Sequence, residues 1–114
     1  MVFQGGYQLR LISTKEIYEA KQVDGEYIAH IECNANFRIM LKSHRARQTN
    51  VTIDINGTKL DSFQLPIYGE IITDIIYTIA PIGTTVISAD YKTDIDVTHL
   101  CIDAKSYGIL KLNR

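Results

Sequence analysis

The residues able to do chemistry are few and scattered. His99 and Cys101 stand two apart in an apolar-alternating stretch, so on a strand they share a face. A Cys–His dyad is the reaction chemistry such a pair could offer. The same spacing suits two half-buried strand residues with no chemical role. Asp94-Ile-Asp96, with Asp90 nearby, puts two carboxylates on one side of an extended segment. Hard divalent cations take oxygen clusters of that kind, and an acidic turn facing water is the alternative. His30, His44 and His99 have no metal-ligand spacing with one another or with cysteine. Asp54-Ile-Asn56-Gly57 begins like a calcium loop but lacks the first-ligand spacing and the distal Glu. No nucleophile elbow, phosphate loop or dinucleotide fingerprint occurs. The expectation is a non-enzymatic protein with no cofactor and no metal.

The best binding candidate is Lys42-Ser-His-Arg-Ala-Arg47, a polar, basic stretch expected to be a loop. Arg45 and Arg47 could fork onto carboxylate or phosphate. No aromatic platform is interleaved with them, which argues against single-stranded nucleic acid. An acidic protein surface or plain solvent remain as the two readings. Net charge is −1, so the whole molecule has no bias toward nucleic acid or membrane. The charges are nevertheless uneven. Residues 33–53 hold four basic side chains and no acid, whereas residues 54–103 hold eight acids against Lys59 and Lys92. Such a distribution could make a polar molecule suited to head-to-tail contacts. Asn50-Val-Thr52 and Asn56-Gly-Thr58 match the glycosylation pattern. Met1 to Tyr7 shows no secretory signal, so these are read as strand and turn residues.

The elements that must position these groups are strands. Ile, Val and Thr make up 33 of the 114 residues, stiff side chains that suit a pleated, half-buried surface. Val51, Ile53 and Ile55 alternate with Thr52 and Asp54, Asn56-Gly57 follows, and Thr58 to Leu65 returns. Asn-Gly supplies the positive φ of a type I′ turn, so this is a β-hairpin. Tyr7, Leu9 and Leu11 share a face, as do Phe37, Ile39 and Leu41. Further strands are expected over Tyr27–Glu32, Ile71–Ile79, Thr84–Tyr91, Val97–Ile102 and Ser106–Leu112, with Gly108 a bend. Val23-Asp24-Gly25 and Ala80-Pro-Ile-Gly83 read as turns. Ser13-Thr-Lys-Glu16 fits either a helix cap or a turn. About eight short strands, about 10–12 residues apart, predict an all-β, single-domain antiparallel sandwich of jelly-roll or Greek-key type. Residues 1–6 are expected as an N-terminal arm before a sandwich domain over 7–114. With two cysteines, Cys33 and Cys101, free thiols in a reducing compartment are favoured over a bridge.

From Tyr27 to about Gly108 the pattern resembles small β-sandwich proteins of tailed-phage virions, the capsid decoration (cement) and head-fibre type. The residues carrying it are Phe37-Arg-Ile-Met-Leu-Lys42 running into Arg47, Ile55-Asn-Gly57, and Phe63-Gln-Leu-Pro66. The resemblance implies attachment to the capsid exterior and stabilisation of the shell, in a virion assembled in the host cytoplasm. The partners would be the major capsid protein or neighbouring virion subunits, and the state a homo-oligomer, a trimer first. Arg45, Arg47 and Lys42 are the expected polar contacts, with Phe3 and Tyr7 on an arm that adds a strand to a neighbour. The alternative is a carbohydrate-binding sandwich module using Tyr68, Tyr77, Tyr91 and Tyr107, although the chain has no Trp.

Overall fold

The structure is a computed structural model and describes residues 2–12, 17–18, 20–31, 36–73, 77–78 and 82–107. These residues form strands joined by turns, with no helix among them. In chain order the strands are β1 (Val2–Gln4), β2 (Tyr7–Ile12), β3 (Ile17–Tyr18), β4 (Ala20–Val23), β5 (Glu26–His30) and β6 (Asn36–Ser43). They continue with β7 (Thr49–Ile55), β8 (Thr58–Leu65), β9 (Glu70–Ile72), β10 (Tyr77–Thr78), β11 (Ile82–Lys92) and β12 (Val97–Tyr107). One sheet runs β1-β2-β6-β10, with β3 beside β2 and β9 beside β6. The other runs β4-β5-β12-β11-β7-β8. Neighbours are antiparallel except β5 and β12, which are parallel.

The sandwich follows from the alternation. Tyr7, Leu9 and Leu11 of β2 and Phe37, Ile39 and Leu41 of β6 turn inward from the first sheet. Val51, Ile53, Ile87, Ala89, Tyr91, Leu100, Ile102 and Ala104 meet them from the second. Polar residues take most of the intervening positions, as a sheet covered on one face requires, although Met40 between Ile39 and Leu41 is buried as well. The hairpin turn read at Asn56-Gly57 and the turn read at Val23-Asp24-Gly25 both form. Asp24 and Gly25 have φ of 52° and 84°, and Asn56 and Gly57 have the same pair of values.

Several expectations are corrected. Of the arm expected over residues 1–6, the described residues 2–6 are not free, because Val2–Gln4 already pairs with Tyr7–Leu9 inside the domain. Gly5 and Gly6 take φ of 62° and 85°, which makes the tight turn between β1 and β2 possible. The strand expected over 71–79 is interrupted. β9 and β10 both pair with β6, and between them the Thr73 hydroxyl accepts the Ile39 amide at 3.0 Å. The two strands expected over 97–112 merge into β12 as far as Tyr107. Ile82 and Gly83, expected in a turn, already belong to β11. The basic stretch also starts later than expected, since Lys42 and Ser43 finish β6. Ser13–Glu16, Cys33 and Gly108 lie outside the described residues. Cys101 is a free thiol.

Candidate functional site

Strand register brings four connections to one end of the sandwich. Tyr7 lies opposite Ser43, Lys42 opposite Glu70, Thr49 opposite Leu65, and Lys92 opposite both Asn50 and Val97. The connections are therefore Gly5-Gly6, His44–Gln48, Pro66–Gly69 and Thr93–Asp96. Main-chain bonds sew three of them together. The His44 amide donates to the Gly6 carbonyl (2.8 Å), the Tyr68 amide to the Arg45 carbonyl (3.1 Å), and the Ser43 amide to the Gly69 carbonyl (2.9 Å). Gly6 is needed here, since an added Cβ would come 2.7 Å from Arg45 Cγ.

The fourth connection is held by charge. Arg45 Nη1 donates to both carboxylate oxygens of Asp96, at 3.1 and 3.3 Å. Arg47 Nη1 donates to Asp94 at 2.8 Å. The two pairs continue, as side-chain rungs, the antiparallel ladder between β7 and β11. Thr93–Asp96 closes on itself as well. The Thr93 hydroxyl accepts the Ile95 and Asp96 amides and donates to the Asp96 carboxylate, and the Thr93 amide donates to the Asp96 carbonyl. A depression of about 450 Å³ beside the second rung is lined by Arg47, Gln48, Asn50, Lys92, Thr93 and Asp94.

Beneath the loops lies an aromatic lock between the sheets. Tyr7 and Tyr91 stack with centroids 4.5 Å apart. Tyr91 donates its hydroxyl to the Gln8 carbonyl, and the Tyr7 hydroxyl bonds Thr49 Oγ1 at 2.8 Å. The Arg45 guanidinium sits 5.3 Å above the Tyr7 ring centroid, a cation–π contact. Burial pushes the Tyr91 phenol far above its ordinary range.

The expected site residues divide accordingly. Arg45 and Arg47 do bond carboxylates, Arg45 both oxygens of Asp96 and Arg47 one oxygen of Asp94, but these belong to their own chain. The basic and acidic stretches thus meet within the molecule at this end instead of facing outward as two poles. Tyr7 is fully buried and presents nothing to a partner. Phe3 is half exposed, its ring 5.1 Å from that of His44. Lys42 stands apart from the arginines on β6, opposite Gln8 and Glu70. The carboxylates read as a possible cation cluster are dispersed, with Asp94 and Asp96 on the arginines and Asp90 bonded to His99 Nδ1 at 2.5 Å. Among the described residues no three His, Cys, Asp or Glu side chains are placed to hold a metal.

His99 and Cys101 do share one face of β12. They border an open cleft of about 310 Å³ together with Gln4, Glu26, Tyr27 and Asp103. Burial, then the charges of Asp103 and Glu26, push the Cys101 thiol up, away from the thiolate a nucleophile needs.

Sequence reasoning missed the apolar tips. Eight large apolar side chains are exposed among the described residues, and five of them are on or beside this end: Phe3, Ile67, Tyr68, Ile95 and Val97, between 50% and 65% accessible. Ile67-Tyr68 enclosed by Pro66 and Gly69 was the available signal, because a solvated turn has no use for two large apolar residues.

The ion pairs give a titration test. The Thr93 hydroxyl above all, helped by the Arg45 and Arg47 guanidinium groups, holds the Asp96 carboxyl below the ordinary aspartate range against the opposing effect of burial. A lowered folded value means that this contribution to stability is present above the ordinary range. It is lost as pH falls through the lower, folded value. Thr93→Val should therefore raise the Asp96 midpoint toward that of an unpaired aspartate, read by carbon-detected NMR. An unmoved midpoint would count against the Thr93–Asp96 contact.

No family model matches the sequence, and no curated protein matches it. Among solved structures, a CARDB domain from Pyrococcus furiosus, in complex with di-metal ions, is 17% identical, with 94% of each chain covered and a TM-score of 0.44. An engineered protein is 10% identical over 88% of this chain and 20% of its own, with a TM-score of 0.37. At these values neither likeness carries an argument about this chain.

Proposed function

We propose that this chain is a non-enzymatic docking module that joins a larger assembly through the four-connection end of its sandwich. In the form the sequence resemblance implies, that assembly is a tailed-phage virion, with repeated copies seated on the capsid exterior. One observation carries the reading: exposed apolar side chains gather where the loops are sewn together by main-chain bonds and two ion pairs. A surface fixed before binding loses little entropy when a partner covers it. Apolar tips within a polar rim are the usual make-up of a protein interface. The arginines support the surface from within, holding the Thr93–Asp96 turn and its Ile95 in place. Many copies on a lattice would multiply modest individual contacts.

The carbohydrate reading loses one of its four tyrosines, since Tyr91 is fully buried. Tyr68 remains exposed, while the side chains of Tyr77 and Tyr107 lie outside the described part. Among the described side chains Tyr68 is thus the one exposed ring of that set, and one ring alone is a poor platform for a sugar.

The experiment is co-sedimentation of the labelled chain with tailed-phage heads stripped of their decoration proteins, beside a glycan array. Saturable pelleting with no sharp glycan signal supports the reading. A sharp glycan signal without pelleting on any head would replace it with the carbohydrate module. Light scattering after size exclusion adds the oligomeric state, with a trimer expected.

A further inference from the structure

A second surface lies in the middle of the larger sheet, and it does not rest on the docking reading. β12 has β11 along its whole length on one side, from Val97 to Tyr107. On its other side β5 is in register only with Asp103, Ala104 and Lys105. Among the described residues, a central strand thus has no paired neighbour on this flank over its first half.

The direction of the backbone groups there follows from two independent bonds. The Asn56 amide donates to the Val86 carbonyl, and the Val86 amide donates to Asn56 Oδ1, so Val86 is turned toward β7. Alternate residues of β11, Ile87 and Ala89 among them, are therefore turned toward β12. Their partners Ile102 and Leu100 bond back to β11. Val97, His99, Cys101, Asp103 and Lys105 must then turn their N–H and C=O groups away from β11. The Ile31 amide donating to the Lys105 carbonyl at 2.9 Å confirms this from the β5 side. The β5 register stops at Asp103, so Val97 and His99 present their main-chain donors and acceptors to an open flank.

That flank borders the open 310 Å³ cleft, which Gln4 of β1 and Gly25 of the β4–β5 turn also line. The cleft's charged side chains are acidic: Glu26 and Asp103 line it, together with His99 and no Lys or Arg. Leu100 and Tyr27 supply its apolar side. The outer edges of this sheet offer less. β4 is short, and β8 carries Lys59, Asp61 and a bulge opposite Ile53 and Asp54, the features that blunt an edge.

We propose that this flank of β12 accepts an extended peptide segment of another protein as an added strand, with a Lys or Arg side chain of the segment set against Glu26 and Asp103. Main-chain bonds to Val97 and His99 hold it, and the acidic lining selects its charge.

The test uses the full chain, uniformly labelled with nitrogen-15, and three synthetic peptides: Ac-Thr-Val-Lys-Val-Thr-amide, its Glu counterpart, and the Lys peptide methylated on alternate backbone nitrogens. In the free chain the Val97 and His99 amides should exchange with solvent much faster than those of Leu100 and Ile102. The Lys peptide should shift and protect the Val97–Cys101 amides at millimolar concentration, and the other two should not. Glu26→Gln with Asp103→Asn should weaken the Lys peptide about tenfold. Slow exchange at Val97 and His99 in the free chain would overturn the proposal, because the flank would already be bonded. So would equal shifts from the Glu or methylated peptide, or no shift at Val97–Cys101.

Discussion

Tyr91→Ala should remove about 3–5 kcal/mol of folding stability, the usual cost of truncating a buried aromatic. Total stability in domains of this size is commonly about 5–15 kcal/mol. A single side chain would then account for a large part of it, and the melting temperature should fall by more than about 10 °C. Three contributions act together. The ring is fully buried, it stacks on Tyr7 from the opposite sheet at 4.5 Å, and its hydroxyl reaches the Gln8 main chain. Tyr91→Phe separates them. It keeps the burial and the stack and loses only the hydrogen bond, so it should cost about 1 kcal/mol. Calorimetry on both variants reads the difference. A Tyr91→Ala loss no greater than that of Tyr91→Phe would mean that the two sheets are not locked at this end.

The other large effect concerns docking. Tyr68→Asn together with Ile95→Gln should lower attachment to the partner at least about tenfold, or about 1.4 kcal/mol. Apolar anchors at the centre of an interface often cost about 2 kcal/mol each when removed. Asn is chosen because Tyr68 sits at a φ of 51°, a backbone conformation that Asn tolerates better than most residues. Both side chains are largely exposed, so folding should change by no more than about 0.5 kcal/mol. Arg45→Gln is the companion variant. It removes the Arg45 contact to both oxygens of Asp96 and leaves the Thr93–Asp96 turn tied to the neighbouring loop by the Arg47–Asp94 pair alone. Attachment should weaken although Arg45 touches no partner, since Ile95 would lose its fixed position. An undiminished signal from the Tyr68 and Ile95 double variant on a well-folded protein would remove these tips from the interface.

The sandwich was legible because its signal is local. Tyr7–Leu11, Phe37–Leu41 and Val51–Ile55 alternate with period two, and each alternation reappears as a buried face. Asn56-Gly57 fixed its own turn through two positive φ values. What sequence reading missed depends on pairings distant along the chain. Nothing near Arg45 or Arg47 tells that Asp96 and Asp94 lie opposite, because those contacts arise only when β7 and β11 are neighbours. Taken alone, each stretch reads as a charged surface seeking a partner. Tyr7 was misjudged for a related reason. A chain start with two glycines reads as an arm, while Tyr7 also opens an alternating strand, and the pairing of Val2–Gln4 with β2 decides for the core strand. The free flank of β12 is equally hidden, since it exists because the parallel partner β5 stops at Asp103.

The most direct test of the docking surface is a hydrogen-exchange footprint of the chain free and bound to the stripped heads. Slowed exchange should concentrate in residues 44–48, 66–69 and 93–97, with little change around the Asn56–Gly57 turn at the opposite end. Protection centred on that opposite turn, with the Ile67–Tyr68 and Thr93–Asp96 segments unchanged, would contradict the proposed orientation.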